Sequence, residues 1–355
     1  MVGSTESERE WIIRDYREGD EEQILELRGI ALSGPKNKQW WKWMYRDGPL
    51  GPATIALAEV KHRIIGHMAS VPVPIKIKDQ VTRGGHGVDL MVHPDYRHQG
   101  IFVALSKAMR DHSKGVYKSI GYGIPSDQSR PGIINQFHVK EIFEVPLLFK
   151  VIDWGIILKS HYRIPVFIGK LLGYIWERVT GRASPPKDTD IKVEEVFSFD
   201  ERINQFWEKA SKLKNIMIVK DMKYLNWRYV AKPGNEYRIF MAKKQQEITG
   251  YIVLKLIKGI RSRGIIVDFL TLPGEDTTTT LLITRAIQCF KEDGAATILC
   301  WMLKDTPYYG ILRKLGFIRR RGSGMYGGST NPNIPKEFVL NPANWYYVMG
   351  DGDAL

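Results

Sequence analysis

The chain reads as an α/β (α+β) protein made of two successive domains of one kind. Two observations carry this. Strand-like and helix-like segments follow one another from Trp11 to Asp153 in the order β, α, α, β, β, β, α, β, α, β. The chain then repeats itself: Trp40, Trp43, Tyr45, Ala58 and Gly66 have counterparts Tyr224, Trp227, Tyr229, Ala242 and Gly250, all at one constant offset with no gap. A run of equal offsets is the signature of a duplicated unit. A length of 355 residues also exceeds what one core comfortably serves.

In order, Trp11–Tyr16 alternates as a strand does, and Asp20 is placed to cap a helix carrying Ile24, Leu25, Leu27 and Ile30. An aromatic cluster follows, Trp40, Trp41, Trp43 and Tyr45, which reads first as core packing, with stacking on a sugar open to Trp40 and Trp41. Gly48–Pro52 is a turn signal. Strands are expected at Thr54–Val60 and Ile64–Ile77, with Pro72 and Pro74 marking a bulge or an edge in the second. Tyr117–Gly123 reads as a short strand, Ile133–Lys140 as a short helix and Phe143–Asp153 as a closing strand. An apolar helix is expected at Ile164–Trp176, then a breaker-rich stretch, Gly181–Pro186. The tail, Asn344–Asp353, reads as a strand ending in an acidic turn.

The stretch Val88–Phe102 has the most chemical character. Val88–Val92 is strand-like, Pro94 ends it, and Val103, Leu105, Ala108 and Met109 have helical spacing. The loop between them places backbone N–H groups at a helix N-terminus, where the dipole favours an anion. Arg97 adds a charge, and Gly100 lets the backbone approach a ligand. The string His93-Pro-Asp-Tyr-Arg97-His98-Gln99-Gly100-Ile101-Phe102 resembles the acetyl-CoA-binding motif of the GNAT (GCN5-related) N-acetyltransferases, Gln/Arg-x-x-Gly-x-Gly/Ala. Arg97 and Gly100 match it; Phe102 replaces the final small residue.

The resemblance implies two GNAT folds in tandem, each a central mixed, mostly antiparallel sheet flanked by helices. The expected domains are 1–155 with the acetyl-CoA site, a linker at 156–190, and 191–355 without a CoA loop. After Val267-Asp268, the counterpart of Val88-Asp89, the chain has Glu275 and Asp276, which would repel a pyrophosphate. Such tandem proteins with a Trp-Tyr…Gly-Asp-x-Asp end resemble a bacterial and archaeal group associated with cell-surface polysaccharide genes.

For the site, the resemblance implies that Leu90, Met91 and Val92 present backbone groups to the pantetheine arm. Arg97, His98, Gln99, Gly100, Ile101 and Phe102 would hold the phosphates. Acetyl transfer to a primary amine needs a base and a proton for the leaving thiolate. Asp89 and His86 are the candidate bases. Asp89 and Asp268 are equally read as structural. His138 stands where the family carries a tyrosine donor, and is a candidate acid or a packed histidine. Ser129, with Ser126, could reach the thiol.

Charge and composition limit the partners. The net charge is +13, from 52 basic and 39 acidic residues, with 43% hydrophobic content. An anionic partner fits: a CoA ester, an anionic amine acceptor such as a nucleotide-linked amino sugar, or a lipid surface touched peripherally. Lys258, Arg261 and Arg263, with Arg319, Arg320 and Arg321, are candidates to line an acceptor's path. Nucleic acid is not expected, although a tRNA-dependent aminoacyl transferase of the peptidoglycan-bridge type is the alternative enzyme. A non-catalytic CoA-binding module is the third reading. Cys289 and Cys300 have no metal-ligand spacing and read as packed thiols, so no metal and a cytoplasmic setting are expected. The polar, acidic start, Met1–Glu10, is unlike a signal peptide.

Overall fold

The computed structural model describes residues 10–32, 37–113, 115–162, 171, 189–234 and 236–352. The apolar helix expected at Ile164–Trp176 and the boundary at Gly181–Pro186 lie outside these, apart from residue 171. The chain forms two compact units. Unit 1 comprises Met1–Ile75, Thr82–Ile142 and Met325–Leu340; unit 2 comprises Lys76–Val81, Phe143–Gly324 and Asn341–Leu355.

In unit 1, β1 (Ile12–Asp15) lies beside β2 (Thr54–Val60), β3 (Arg63–Ile77), β4 (Gln80–Val92) and β5 (Ile120–Gly123) in that order. The β1–β2 and β2–β3 ladders are antiparallel. β4 and β5 run parallel. Helices α1 (Glu21–Ala31), α2 (Lys38–Tyr45), α3 (Ile101–Ser113) and α4 (Arg130–Phe137) complete the unit. Its sixth strand is the outer part of β13 (Ile318–Ser329), whose Tyr326–Ser329 pairs antiparallel with β5.

In unit 2, β7 (Ile191–Val196), β9 (Tyr237–Lys244), β10 (Glu247–Ile257) and β11 (Arg263–Thr271) form an antiparallel succession, and β12 (Thr297–Trp301) runs parallel to β11. β8 is the short strand Ile216–Ile218. The strand beside β12 is β6 (Lys140–Val151), antiparallel from Leu147 to Val151. Both units thus have a mixed, mostly antiparallel sheet with helices, and each fifth strand is bordered by a strand from the other half of the sequence. This differs from boundaries at 155 and 191: the closing strand expected for the first half pairs in unit 2, and its counterpart pairs in unit 1. Strand-strand hydrogen bonds ignore sequence distance, so a boundary placed at a change of composition cannot reveal the exchange.

The remaining helices are α5 (Trp154–Tyr162), α6 (Arg202–Ala210), α7 (Met222–Leu225) with a π-helical turn at Asn226–Val230, α8 (Asp276–Glu292), α9 (Pro307–Lys314) and α10 (Lys336–Leu340). The helix expected at Ile133–Lys140 begins earlier and ends at Phe137, where His138 turns left-handed at φ 52. Pro72 and Pro74 lie beyond Ser70, the last residue of β3 paired to β2, where a missing donor is tolerated.

The internal repeat has a local cause. Asn37 caps α2 by accepting from Trp40 N (2.8 Å), and Asp221, its counterpart at the same offset, caps α7 by accepting from Tyr224 N (2.7 Å). Ala58 pairs with Gly66 across β2–β3, as Ala242 pairs with Gly250 across β9–β10. A Cβ at Gly66 would stand 2.9 Å from Ile101 of α3, and one at Gly250 would stand 3.0 Å from Leu282 of α8. Each glycine therefore lets the following helix close onto its sheet.

The tail is not a strand. Trp345 forms one bridge to Ile216, and Met349–Asp351 is a single 3₁₀ turn. The tail is held by buried polar groups instead. Lys220 Nζ donates to Asp268 Oδ2 at 2.8 Å and to Asp351, and Tyr229 donates to Asp268 at 2.7 Å. Arg228 Nε donates to the Gly350 carbonyl at 2.9 Å, and its Nη2 to Gly352. Lys220, Asp268 and Asp351 are each at most 3% exposed. A tail that folds back to satisfy buried charges cannot also run as a strand.

Lys220 stands between the two carboxylates, while the Arg228 guanidinium is spent on the carbonyls that flank Asp351. Burial pushes the Asp351 carboxyl from 3.8 up to about 6, against the pull of Lys220. The native carboxyl then binds a proton more tightly than the unfolded one. Its contribution favours the native state increasingly as pH falls from about 7 to about 4, and is lost as pH rises through about 6. The melting temperature of Asp351→Asn relative to the unaltered chain should therefore move in the variant's favour between about pH 4.5 and about pH 7.5. Movement the other way, the behaviour of an ordinary ion-paired carboxylate, would overturn the assignment.

Candidate active site

β4 breaks its own regularity at Asp89, the one residue of β4 with left-handed backbone (φ 47). Side chains normally avoid this region, so neighbours must hold it there. Three do. The Tyr45 hydroxyl donates to Asp89 Oδ2. Arg28 Nη1 lies 3.4 Å from Asp89 Oδ1, and its guanidinium stacks 4.7 Å over Trp40. His67 Nδ1 is 2.7 Å from the Asp89 carbonyl oxygen. That oxygen can only accept, so Nδ1 carries the proton. His67 is wholly buried, and desolvation pushes its pKa below the ordinary value, which keeps the ring neutral.

Around this point the sheet opens. The parallel β4–β5 ladder pairs Gly85 with Gly121 and His86 with Tyr122, and β5 ends at Gly123, while β4 runs on to Val92. Leu90 and Val92 pack on the core of Ile65, Met68, Ile101 and Leu105; Met91 is buried. Pro94–Tyr96 forms one 3₁₀ turn, His98 and Gly100 are left-handed (φ 64 and 82), and α3 starts at Ile101. Arg97, His98, Gln99 and Gly100 are exposed, and a Cβ at Gly100 would meet nothing within 4 Å. This is an open cradle of backbone amides at the N-terminus of a long helix, beside a cation. Arg97 Nε donates to the Val92 carbonyl at 3.3 Å, tying the loop to the strand.

Phe102 does not fill the cradle. Its ring lies against Gly132 of α4, where a Cβ would come within 2.5 Å of it. The bulky residue in the motif's last position is accommodated by a glycine on the next helix.

The candidate proton-transfer residues are placed differently from one another. His86 is buried, its ring stacked 4.8 Å from that of Tyr122. The Asp89 carboxylate is engaged by Tyr45 and Arg28. His138 is exposed just past the C-terminus of α4, outside the helix expected to carry it. Ser129 is at the N-terminus of that helix, with its hydroxyl 3.0 Å from that of Ser126. Trp40 and Trp41 are buried, Trp41 against Tyr16 at 5.2 Å, so they pack the interior. His67, Tyr45 and Arg28 escape a reading of the sequence: nothing local marks a β3 histidine as the partner of a backbone carbonyl on β4.

In unit 2 the matched stretch carries no such cradle. Glu275 accepts from Thr278 Oγ1 at 2.8 Å at the start of α8, an ordinary helix entry. Of the basic residues, Lys258, Arg261 and Arg263 are exposed around the β10–β11 turn. Arg319–Arg321 lie in β13; Arg319 pairs with Glu144 at 3.5 Å and Arg320 stacks 4.2 Å over Phe149. Among the described residues, no helix is long and apolar enough to cross a membrane.

A mixed sheet that opens beside the left-handed Asp89 is followed by an amide-lined loop and a helix. Residues 12–137 match the family model of the acetyltransferase (GNAT) domain. Comparison with curated proteins finds no match. Solved structures share the fold at low identity. A probable N-acyltransferase of unknown function from Enterococcus faecalis is 9% identical with a TM-score of 0.65, over 90% of this chain and 72% of that one. A GCN5-related N-acetyltransferase from Anabaena variabilis is 10% identical with a TM-score of 0.64, over 90% and 73%. The Saccharomyces cerevisiae N-myristoyltransferase with bound myristoyl-CoA is 9% identical with a TM-score of 0.57, over 92% and 80%.

Proposed function

We propose that the chain is an acetyl-CoA-dependent N-acyltransferase that transfers the acetyl group to a primary amine on a small acceptor, with an amino sugar as the leading chemical class. The observation that carries this is the cradle at Arg97–Gly100, open to solvent and adjoining the part of β4 that continues past the end of β5. Acetyl-CoA supplies an activated thioester. Arg97 and the amides from His98 to Phe102 hold its phosphates, and Leu90–Val92 receive the pantetheine arm. The thioester carbonyl is polarised by a backbone N–H of that strand, which stabilises the negative charge as the amine attacks. His86 takes the amine's proton through water, because the Asp89 carboxylate is committed to Tyr45 and Arg28. His138 returns a proton to the leaving thiolate, with Ser129 ordering the water beside it; a histidine can do either. We read unit 2 as a second GNAT-like copy without a CoA loop.

Two glycines make a matched test. Gly100 and Gly274 have nearly the same backbone, φ 82 and 84, and open space around them. Glutamate at either carries the same backbone cost, but only at Gly100 does it set a carboxylate against the phosphates. Calorimetry with acetyl-CoA should show binding weakened by about tenfold or more in Gly100→Glu and unchanged in Gly274→Glu. No heat with the unaltered chain would overturn the proposed function.

A further inference from the structure

We infer that His67 is a positioning residue for the acyl-transfer site: by gripping the Asp89 carbonyl it aims the Leu90 N–H at the thioester oxygen. This rests on the acyl-CoA reading above and adds to it the group that sets the polarising amide. The argument begins with the peptide bond. The Asp89 carbonyl and the Leu90 N–H belong to one planar trans unit, so they point in opposite directions. His67 is on β3, and its Nδ1–H holds the carbonyl at 2.7 Å. The Leu90 N–H is thereby turned away from His67. In the strand order β4 lies between β3 and β5, and the β5 ladder has ended by this level. The Leu90 N–H faces the opening where the pantetheine arm enters.

The grip is stiff for physical reasons. His67 is 0% exposed, so water does not compete for the bond. Its ring packs edge-on against Tyr45 at 5.6 Å, the same tyrosine that holds the Asp89 carboxylate. Carbonyl and carboxylate of one left-handed residue are thus fixed from two elements, which leaves its peptide plane little freedom. A donor on the carbonyl also polarises the N–H of the same amide.

The second unit supplies an independent contrast. The counterpart of His67, at the offset that relates the two copies, is Tyr251. Tyr251 is wholly buried and its hydroxyl makes no hydrogen bond to a backbone carbonyl, and Asp268 is not left-handed. The aspartate–tyrosine pair recurs as Asp268 with Tyr229, so that pair belongs to the fold. The histidine and the left-handed aspartate occur together, in the unit that has the arginine–glycine loop.

The test compares two probes, acetyl-CoA and S-ethyl-CoA, which has a thioether and no carbonyl. The unaltered chain should bind acetyl-CoA about fivefold more tightly, the worth of one net hydrogen bond. His67→Leu, which removes the donor, should bind both alike, while affinity for S-ethyl-CoA stays within about twofold of the unaltered value. His67→Asn, whose side-chain N–H can stand near Nδ1, should restore the preference. With acetyl-CoA and glucosamine as the amine, thiol release should fall in kcat by about tenfold or more in His67→Leu, in addition to a rise of about fivefold in the KM for acetyl-CoA from the lost ground-state bond. A preference for acetyl-CoA that survives in His67→Leu overturns the inference. Failure of the unaltered chain to bind either acetyl-CoA or S-ethyl-CoA overturns the acyl-CoA reading itself. Should His67→Leu not fold, the unaltered chain with ¹⁵N-labelled leucine decides: acetyl-CoA must move the Leu90 amide resonance further than S-ethyl-CoA does, and equal shifts overturn the inference.

Discussion

A chain ended at Pro186 is expected not to yield a stable first unit. From the sequence alone, such a chain should keep the whole acetyl-CoA domain. The exchanged strands reverse that expectation. Removing the second half strips β5 of its partner Tyr326–Ser329, and of the Thr330 hydroxyl that donates to the Tyr117 and Ser119 carbonyls. β5 is the short strand beside the opening in β4, and it would become an unprotected edge. β6 would lose β12 and expose Val145 and Leu148, both 0% exposed in the native chain. Unpaired apolar strands associate with one another. Circular dichroism and gel filtration of the shortened chain should show aggregation or the absence of a cooperative thermal transition. A monomer that melts cooperatively and binds acetyl-CoA would overturn the prediction. Adding back residues 325–340 through a flexible linker should partly restore unit 1.

The second large effect is expected in the interior of unit 2. Lys220→Met removes the one cation between Asp268 and Asp351, leaving two buried carboxylates without it. Deleting one partner of a buried ion pair costs about 3–5 kcal/mol, since the charge left behind is neither hydrated nor paired. For a unit of this size that corresponds to a fall in melting temperature of roughly 10 °C. Adding Asp351→Asn to Lys220→Met should recover part of the loss, because one of the stranded charges is then gone. The same cluster carries the tail: Lys220, Arg228 and Tyr229 all follow β8 and are met by residues 350–352 or Asp268. Lys220→Met should therefore also open residues 345–352 to limited proteolysis. An unchanged melting temperature in the single variant would show that the cluster contributes no net stability.

The order of the elements was legible because each depends on nearby residues. Proline ended β4, the spacing of Val103, Leu105 and Met109 announced α3, and the constant offset from Trp43 to Trp227 and from Gly66 to Gly250 announced a second copy. The anion cradle was legible for the same reason: arginine, glycine and a helix start are close neighbours in the chain. The network about Asp89 was not. Its members come from α1, α2 and β3, and a bond from His67 to a backbone carbonyl leaves no trace in the identity of the acceptor. The tail misled because Trp-Tyr-Tyr-Val has high strand propensity, whereas its conformation is set by burial of Asp351 against Lys220. Phe102 was legible as a departure from a motif, but its accommodation by Gly132 was visible only once α3 and α4 were packed.

What the sequence by itself determined is local and additive: turn chemistry, helix caps, hydrophobic period, and the loop whose amides collect at a helix N-terminus. What only the tertiary structure decided is which distant groups meet. It chose β13 as the partner of β5 and β6 as the partner of β12, since a sheet edge takes whatever strand the folded chain delivers to it. It also set Asp89 left-handed, since the energy that holds an unfavourable backbone angle comes from His67, Tyr45 and Arg28, which are brought to it by packing and not by their neighbours in the chain.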